Sequence, residues 1–240
     1  MPKELVIFDL DGTLIDSRID ITNALNHALA PYAFRPLSVD ETTTMIGEGI
    51  TRLIEKVVGS AGNGVLLQAF AEVHRYPLRL QEIQSEVKKR FIEHYSEHLL
   101  DCTGEYPGVR ETLQALGRYR KAVISNKMEA LSKKVLGGLG LLEYFDVVAG
   151  SDTTSEKKPS PRPVLKVLSD LRIHPAAALI VGDSNYDVDA GKAAGIMTVA
   201  VTYGYRPREV IAHADYVIDR INDLLPILER AGEEPDNAGG

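Results

Sequence analysis

Short apolar runs recur along this chain, and within them polar residues seldom alternate with apolar ones. Leu5–Leu10, Ala122–Ser125, Phe145–Ala149, Leu179–Val181, Thr198–Val201 and Tyr216–Ile218 are rich in Val and Ile. That is the pattern of strands covered on both faces. Between the later runs, apolar positions return at helical spacing over Val109–Leu116, Glu129–Leu139, Pro163–Leu171, Asp187–Ala194 and Ile221–Arg230. Strand–helix alternation predicts an α/β fold, a Rossmann-like parallel sheet with helices on both faces.

The stretch between the first two strands breaks the alternation. Ile21, Ala24, Leu25, Ala28 and Leu29 form one apolar stripe. Ser38-Val39-Asp40-Glu41 has the form of a capping box. Ile50–Val58 reads as a short helix ending at Gly59, and Val65–Val73 and Ile83–Leu100 as two more. A crossover this long is a domain, not a loop. The predicted organisation is a discontinuous core, 1–16 and 103–230, an inserted α-helical domain over 17–102, and a polar, Gly-rich tail over 231–240 that is expected to fray.

Ligands bind such sheets at the carboxyl ends of the strands, and chemistry-bearing residues collect there. Asp9-Leu10-Asp11-Gly12-Thr13 follows the first strand, Ser125-Asn126-Lys127 the second, and Gly182-Asp183-Ser184-Asn185-Tyr186-Asp187 a later one. Lys157-Lys158-Pro159-Ser160-Pro161-Arg162-Pro163 lies between the last two. Of two carboxylates two residues apart, one can be a metal-bound nucleophile while the other handles protons. Gly12 lets the backbone turn sharply, and Thr13 adds a hydroxyl near the substrate. Each piece also has an ordinary reading. Asp183 and Ser184 could cap a helix starting near Asp187, Lys157-Lys158 could be a solvated loop, and Ser125-Asn126 a turn. All of these would have to coincide at one edge of one sheet.

These motifs, in this order, resemble the haloacid dehalogenase-like superfamily of phosphohydrolases, from about Glu4 to about Leu228. Ser125-Asn126-Lys127, Lys158-Pro159-Ser160-Pro161-Arg162-Pro163 and Val201-Thr202-Tyr203-Gly204-Tyr205 look closest to its phosphoglycolate phosphatase group. The resemblance implies an aspartyl-phosphate mechanism, with Asp9 as nucleophile and Asp11 as general acid and base. It implies Mg²⁺ held by Asp9, Asp183 and the backbone carbonyl of Asp11, with Asp187 behind the metal. Lys158 would pair with Asp9 and the phosphoryl oxygens, and Ser125 would donate to a phosphoryl oxygen with help from the backbone N–H of Asn126. The family often has Thr where this chain has Ser125; the hydroxyl is kept. The inserted helical domain would be a cap that closes over the core. Gly47, in the turn Thr43–Gly49, and the following Arg52 are candidate substrate contacts, although a helix C-cap and a surface arginine would look the same.

Composition narrows the partners. The chain has 240 residues, with 44% hydrophobic and 25% charged positions, as in an ordinary globular protein. A net charge of −7 argues against nucleic-acid binding. It is compatible with a small phosphorylated substrate, because a bound cation and a lysine reverse the sign locally. No apolar run approaches the roughly 18 residues of a membrane span, and no signal-peptide pattern precedes the first strand. The single cysteine, Cys102, excludes an intrachain disulfide and reads as a buried or inert thiol. A cytoplasmic setting fits these features. Oligomeric state is not legible.

His94-Tyr95-Ser96-Glu97-His98 matches the His-x-x-Glu-His pattern of some zinc proteases. Phe91, Tyr95 and Leu99 make an ordinary packing stripe on the same helix, and no third ligand is evident, so the histidines read as a solvated face. The substrate that the resemblance implies is 2-phosphoglycolate. Pyrophosphatase, sugar-phosphate phosphatase, phosphonatase and phosphomutase activities share the same core. A phospho-accepting switch module is the non-enzymatic alternative, which the long insertion and Asp11 argue against.

Overall fold

The computed structural model describes residues 2–32, 34–59 and 80–232. Six strands form one sheet: β1 (Leu5–Phe8), β4 (Arg120–Ile124), β5 (Val147–Ala149), β6 (Ala178–Gly182), β7 (Met197–Val201) and β8 (Tyr216–Ile218). Every pairing is parallel, in the order β5-β4-β1-β6-β7-β8. The sheet is thus the α/β core that the alternation predicts. Its strands are short and buried on both faces, which is why they read as unbroken apolar runs.

The chain leaves β1 for β4 on one side and later returns to β6 on the other. β1 therefore lies at the topological switch point, where the connections diverge and leave a crevice at the strand ends. Leu5, Ile7, Ala122, Ile124 and Ile180 pack against Val164, Val167 and Leu168 of one helix and Ala190 and Ala194 of another helical turn. Phe8 meets Phe145 edge-to-face, with ring centroids 6.3 Å apart. Helices Val109–Ala115, Glu129–Gly138, Arg162–Leu171, Asn185–Ala193 and Leu224–Gly232 connect or follow the strands. The last of these runs two residues into the segment expected to be tail. The rest of that tail, 233–240, lies outside the described residues.

Two compact units divide the chain, one formed by the sequence up to Asp16 and from Gly104 onward, the other by Ser17–Thr103. The second contains α1 (Arg18–Leu29), α2 (Val39–Met45), α3 (Gly49–Gly59) and α4 (Leu80–His98). The helix expected over Val65–Val73 lies outside the described residues. Ser38 and Glu41 do form the capping box of α2, with Ser38 Oγ accepting from the Glu41 N–H and Glu41 Oε2 from the Ser38 N–H. α1 and α4 pack along each other, burying the stripe Ile21, Ala24, Leu25, Ala28 and Leu29 and, on α4, Val87, Phe91 and Tyr95.

Two small devices, both unforeseen from the sequence, close the junctions. In the sheet unit, β2 (Ile15–Asp16) pairs antiparallel with β3 (Gly104–Glu105) and ties the outgoing chain to the returning one. In the helical unit, buried Asp20 accepts from the N–H groups of Cys102 (3.0 Å) and Thr103 (2.8 Å) and from the Thr103 hydroxyl (2.7 Å). Cys102 itself is exposed, not buried. Desolvation and the neighbouring Asp20 raise its thiol pKa, which disfavours the reactive thiolate.

Asp20→Ala strands these donors, and removing the partner of a buried donor costs about 1–3 kcal/mol. The expected outcome is a lower urea midpoint with a nearly unchanged slope. A midpoint equal to wild type would show that the Asp20 clamp contributes nothing.

Candidate active site

Asp9 is the first residue beyond β1, and its N–H donates to the Val181 carbonyl (2.9 Å). That bond holds the backbone in register with β6 while the side chain stands at the carboxyl edge of the sheet. Asp9, Asp183 and Asp187 each offer a carboxylate oxygen, and these oxygens lie within 4.8 Å of one another. Asp183 and Asp187 are nearly inaccessible, and the Asp9 side chain is 13% exposed. Burial pushes the Asp9 carboxyl up to about 7 against the pull of Lys158, and Asp187 and Asp11 add to the push. Asp183 is raised well above the usual carboxylate range, by burial first and then by Asp9 and Asp187. Anionic carboxylates do not crowd like this without positive charge.

Lys158 supplies part of it. Its Nζ lies 2.5 Å from Asp187 Oδ1 and 2.8 Å from Asp9 Oδ1, and it donates to the Ile124 carbonyl at 2.6 Å. An ammonium has three donors, and all are engaged although the residue is 2% exposed. Burial works against its charge, but Asp187 and Asp9 outweigh it and hold its pKa above the ordinary lysine value. Lys158 is thus no solvated loop residue. Asn126 holds the loop in place by donating from Nδ2 to the Lys158 carbonyl (3.0 Å).

The turn after β6 separates two acids by function. Ser184 caps the helix Asn185–Ala193 together with Asp187, whose Oδ2 accepts from the Ser184 hydroxyl (2.6 Å) and N–H (3.1 Å). Asp187 is therefore bound on both oxygens, by Ser184 on one and Lys158 on the other. Asp183 does not cap; it turns toward Asp9. Its Oδ2 accepts from the Tyr205 N–H (2.6 Å), which with Arg206 opposes the rise in its pKa.

Asp11 faces a different partner. Lys127 Nζ donates to its Oδ1 at 2.6 Å, and both side chains are largely buried. Ser125 is buried at the end of β4, its hydroxyl accepting from the Lys127 N–H (3.2 Å). Thr13 is fully buried, and its carbonyl accepts from the Tyr203 hydroxyl (2.8 Å). Asp9, Asp11, Thr13, Ser125, Asn126, Lys158, Asp183 and Asp187 thus all gather at one edge of the sheet unit. Gly47 and Arg52 belong to the helical unit. Gly47 follows α2 at a φ of 115°, and Arg52 on α3 pairs with Glu55 at 2.7 Å on the helix surface.

Glycines make this density possible. At Gly12 φ is +89°, and a Cβ there would come 2.4 Å from Asp183 Oδ2. At Gly204 a Cβ would come 2.2 Å from Asp183 Cβ and 2.5 Å from the Gly12 carbonyl. The loop after β7, with Tyr203, Gly204 and Tyr205, is therefore part of the site. Its residues carry the family resemblance, but no role for them is legible in sequence. Lys127 is the other residue that sequence reasoning passed over. A lysine directly after Ser125-Asn126, in an edge otherwise lined by acids, was the available signal.

Comparison with known proteins decides the family. The family model for haloacid dehalogenase-like hydrolases matches residues 6–201. The chain belongs to this family. The phosphoglycolate phosphatase of Aquifex aeolicus is 39% identical over 228 residues, covering 94% of this chain and 96% of that protein. Phosphoglycolate phosphatase 1 of Pseudomonas aeruginosa is 36% identical, covering 95% and 81%. A crystal structure described as a predicted phosphoglycolate phosphatase, from Haemophilus somnus, superposes with a TM-score of 0.82 at 30% identity, covering 94% of this chain and 97% of that one. This haloacid dehalogenase-like hydrolase therefore falls in the phosphoglycolate phosphatase group, and it is a phosphatase. No described helix is long and apolar enough to cross a membrane.

The donor set of this family member fits a hard divalent cation. It is all oxygen, buried, and carries more negative charge than Lys158 balances. Gly204→Ala tests how tightly the cluster is built. Overpacking against Asp183 and the Gly12 backbone is expected to cost about 1–3 kcal/mol and to lower turnover. Thermal unfolding and phosphate release would both be measured, and wild-type values in both would show that the loop is not seated on Asp183.

Proposed function

We propose that this phosphatase hydrolyses a small phosphomonoester, most readily 2-phosphoglycolate, through a phosphoryl group carried on Asp9, with Mg²⁺ as its cofactor. One observation carries the reading: at the switch point of a parallel sheet, a buried carboxylate just past β1 shares Lys158 with Asp187 and lies beside Asp183, between the ends of β4 and β6. The names of the relatives support the substrate.

Asp9 and Asp183 would hold Mg²⁺ with the Asp11 carbonyl, and Asp187 would stay with Lys158 and Ser184. When bound, the ion would neutralise phosphoryl charge that otherwise repels an anionic nucleophile. Asp9 attacks phosphorus and the leaving oxygen departs; water then cleaves the acyl phosphate and regenerates the carboxylate. Lys158 orients Asp9, favours its anionic form and offers positive charge to the phosphoryl oxygens. Ser125 supplies a hydroxyl donor and Asn126 a backbone donor to the same oxygens. Asp11 protonates the leaving oxygen and then takes the proton of the attacking water. Lys127 is placed to steady that carboxylate between the two steps. The helical unit acts as the cap that reads the leaving group, with Gly47 and Arg52 as its candidate contacts.

The test is a panel of phosphate esters at fixed Mg²⁺, with Asp9→Asn as the blank. Phosphoglycolate is expected to lead in kcat/KM, Asp9→Asn to fall below a few per cent of wild type, and EDTA to abolish activity until Mg²⁺ is restored. Full activity in metal-free buffer, or preserved turnover in Asp9→Asn, overturns the mechanism. A different leading ester overturns the substrate alone.

Asp11→Asn should fail in another way. The nucleophile and most cation ligands remain, but proton transfer is lost, a factor of about 10²–10⁴. The loss should be larger for an alkyl phosphate than for p-nitrophenyl phosphate, whose leaving group needs little protonation. Equal losses on both substrates would remove Asp11 from the role of general acid.

A further inference from the structure

The helical unit holds a cluster of a different chemistry. His94 and His98 sit one turn apart on α4, and their rings stack with centroids 4.2 Å apart. From α1, His27 stacks on the other face of His94, centroids 3.9 Å apart and planes 6° from parallel. Tertiary packing therefore brings a third imidazole beside the two of the His-x-x-Glu-His pattern, in a stacked row. His98 Nδ1 lies 2.9 Å from Asp101 Oδ2. A carboxylate at one ring nitrogen fixes the proton there and leaves the other nitrogen as a lone pair.

We propose that His27, His94 and His98 form a second cation site, for a borderline divalent transition metal of the Zn²⁺ class, which staples α1 to α4. Imidazole is the preferred ligand type for such ions and a poor one for Mg²⁺. Three histidines with water in the fourth position satisfy a tetrahedral ion. Burial and the two flanking imidazoles hold His94 below the usual histidine range, so its ring is neutral and available at neutral pH. Glu97 and Asp101 face it as well, and both favour a cation there. In stacked rings the in-plane lone pairs run side by side instead of converging. Binding therefore requires the rings to splay, which their positions on the helix surfaces permit: His27 is exposed, and the His98 side chain is 44% exposed. Glu97 is not needed as a catalytic base, and no protease activity is implied.

The test titrates Zn²⁺ into the chelator-stripped full chain in excess Mg²⁺, alongside Asp183→Asn, which weakens the carboxylate cluster as a competitor. One equivalent is expected to bind in both proteins, with the ring resonances of three histidines shifting together. His27→Gln, His94→Gln and His98→Gln should each weaken binding by at least about ten-fold. Asp101→Asn should weaken it by about 10–100-fold, as loss of a carboxylate behind a histidine ligand does. Because the ion binds only the folded arrangement, Zn²⁺ should raise the Tm of wild type and of Asp183→Asn, and not that of His94→Gln. The proposal is overturned if Asp183→Asn takes up no Zn²⁺, if the glutamine variants bind as wild type does, or if the three rings respond to pH alone and not to the metal.

Discussion

Like charge in a desolvated space is the constraint on which the rest of this molecule turns. Asp9, Asp183 and Asp187 bring three carboxylates to one edge of a buried sheet, and water cannot disperse their repulsion. Lys158 answers two of them and anchors itself on the Ile124 carbonyl. Ser184 and the Tyr205 N–H answer the remaining oxygens of Asp187 and Asp183. The negative excess that is left suits a hard divalent cation. Removing one partner from such an arrangement leaves an uncompensated buried charge, which costs more than an ordinary surface pair is worth.

The backbone makes the crowding geometrically possible. Parallel strands end at one level, and the switch point at β1 opens a crevice between neighbours that lead in opposite directions. Five loops then have to meet in a small volume. The Asp183 carboxylate fills the space that a methyl group on Gly12 or Gly204 would need. Asn126 joins the β4 loop to the Lys158 loop, and Tyr203 joins the β7 loop to Thr13. The site is built by loops that fasten one another, so it is rigid without lying inside any single element.

The inserted unit is built on other terms. Its helices bury apolar stripes against each other, and its polar features are local: a capping box at α2, the Asp20 clamp at Cys102 and Thr103, the stacked histidines of α1 and α4. The chain passes between the two units twice, and the strand pair β2–β3 binds both passages together in the sheet unit.

The parallel sheet and the long insertion were legible in the sequence, and so were the residues that meet at the strand ends. Period and chain order are local properties, and burial on both faces leaves a plain apolar run. Asp9, Ser125 and Asp183 could be placed at one edge because each directly follows such a run. Pairings between loops could not be read. Nothing in the order of residues says that Lys127 meets Asp11, that Tyr205 binds Asp183, or that His27 stacks on His94, since each depends on how separate elements pack. The sequence also left open whether Asp183 would cap the helix or face Asp9. Tertiary structure decided it, because Asp187 takes Ser184 and Lys158 while the Tyr205 N–H holds Asp183 beside Asp9.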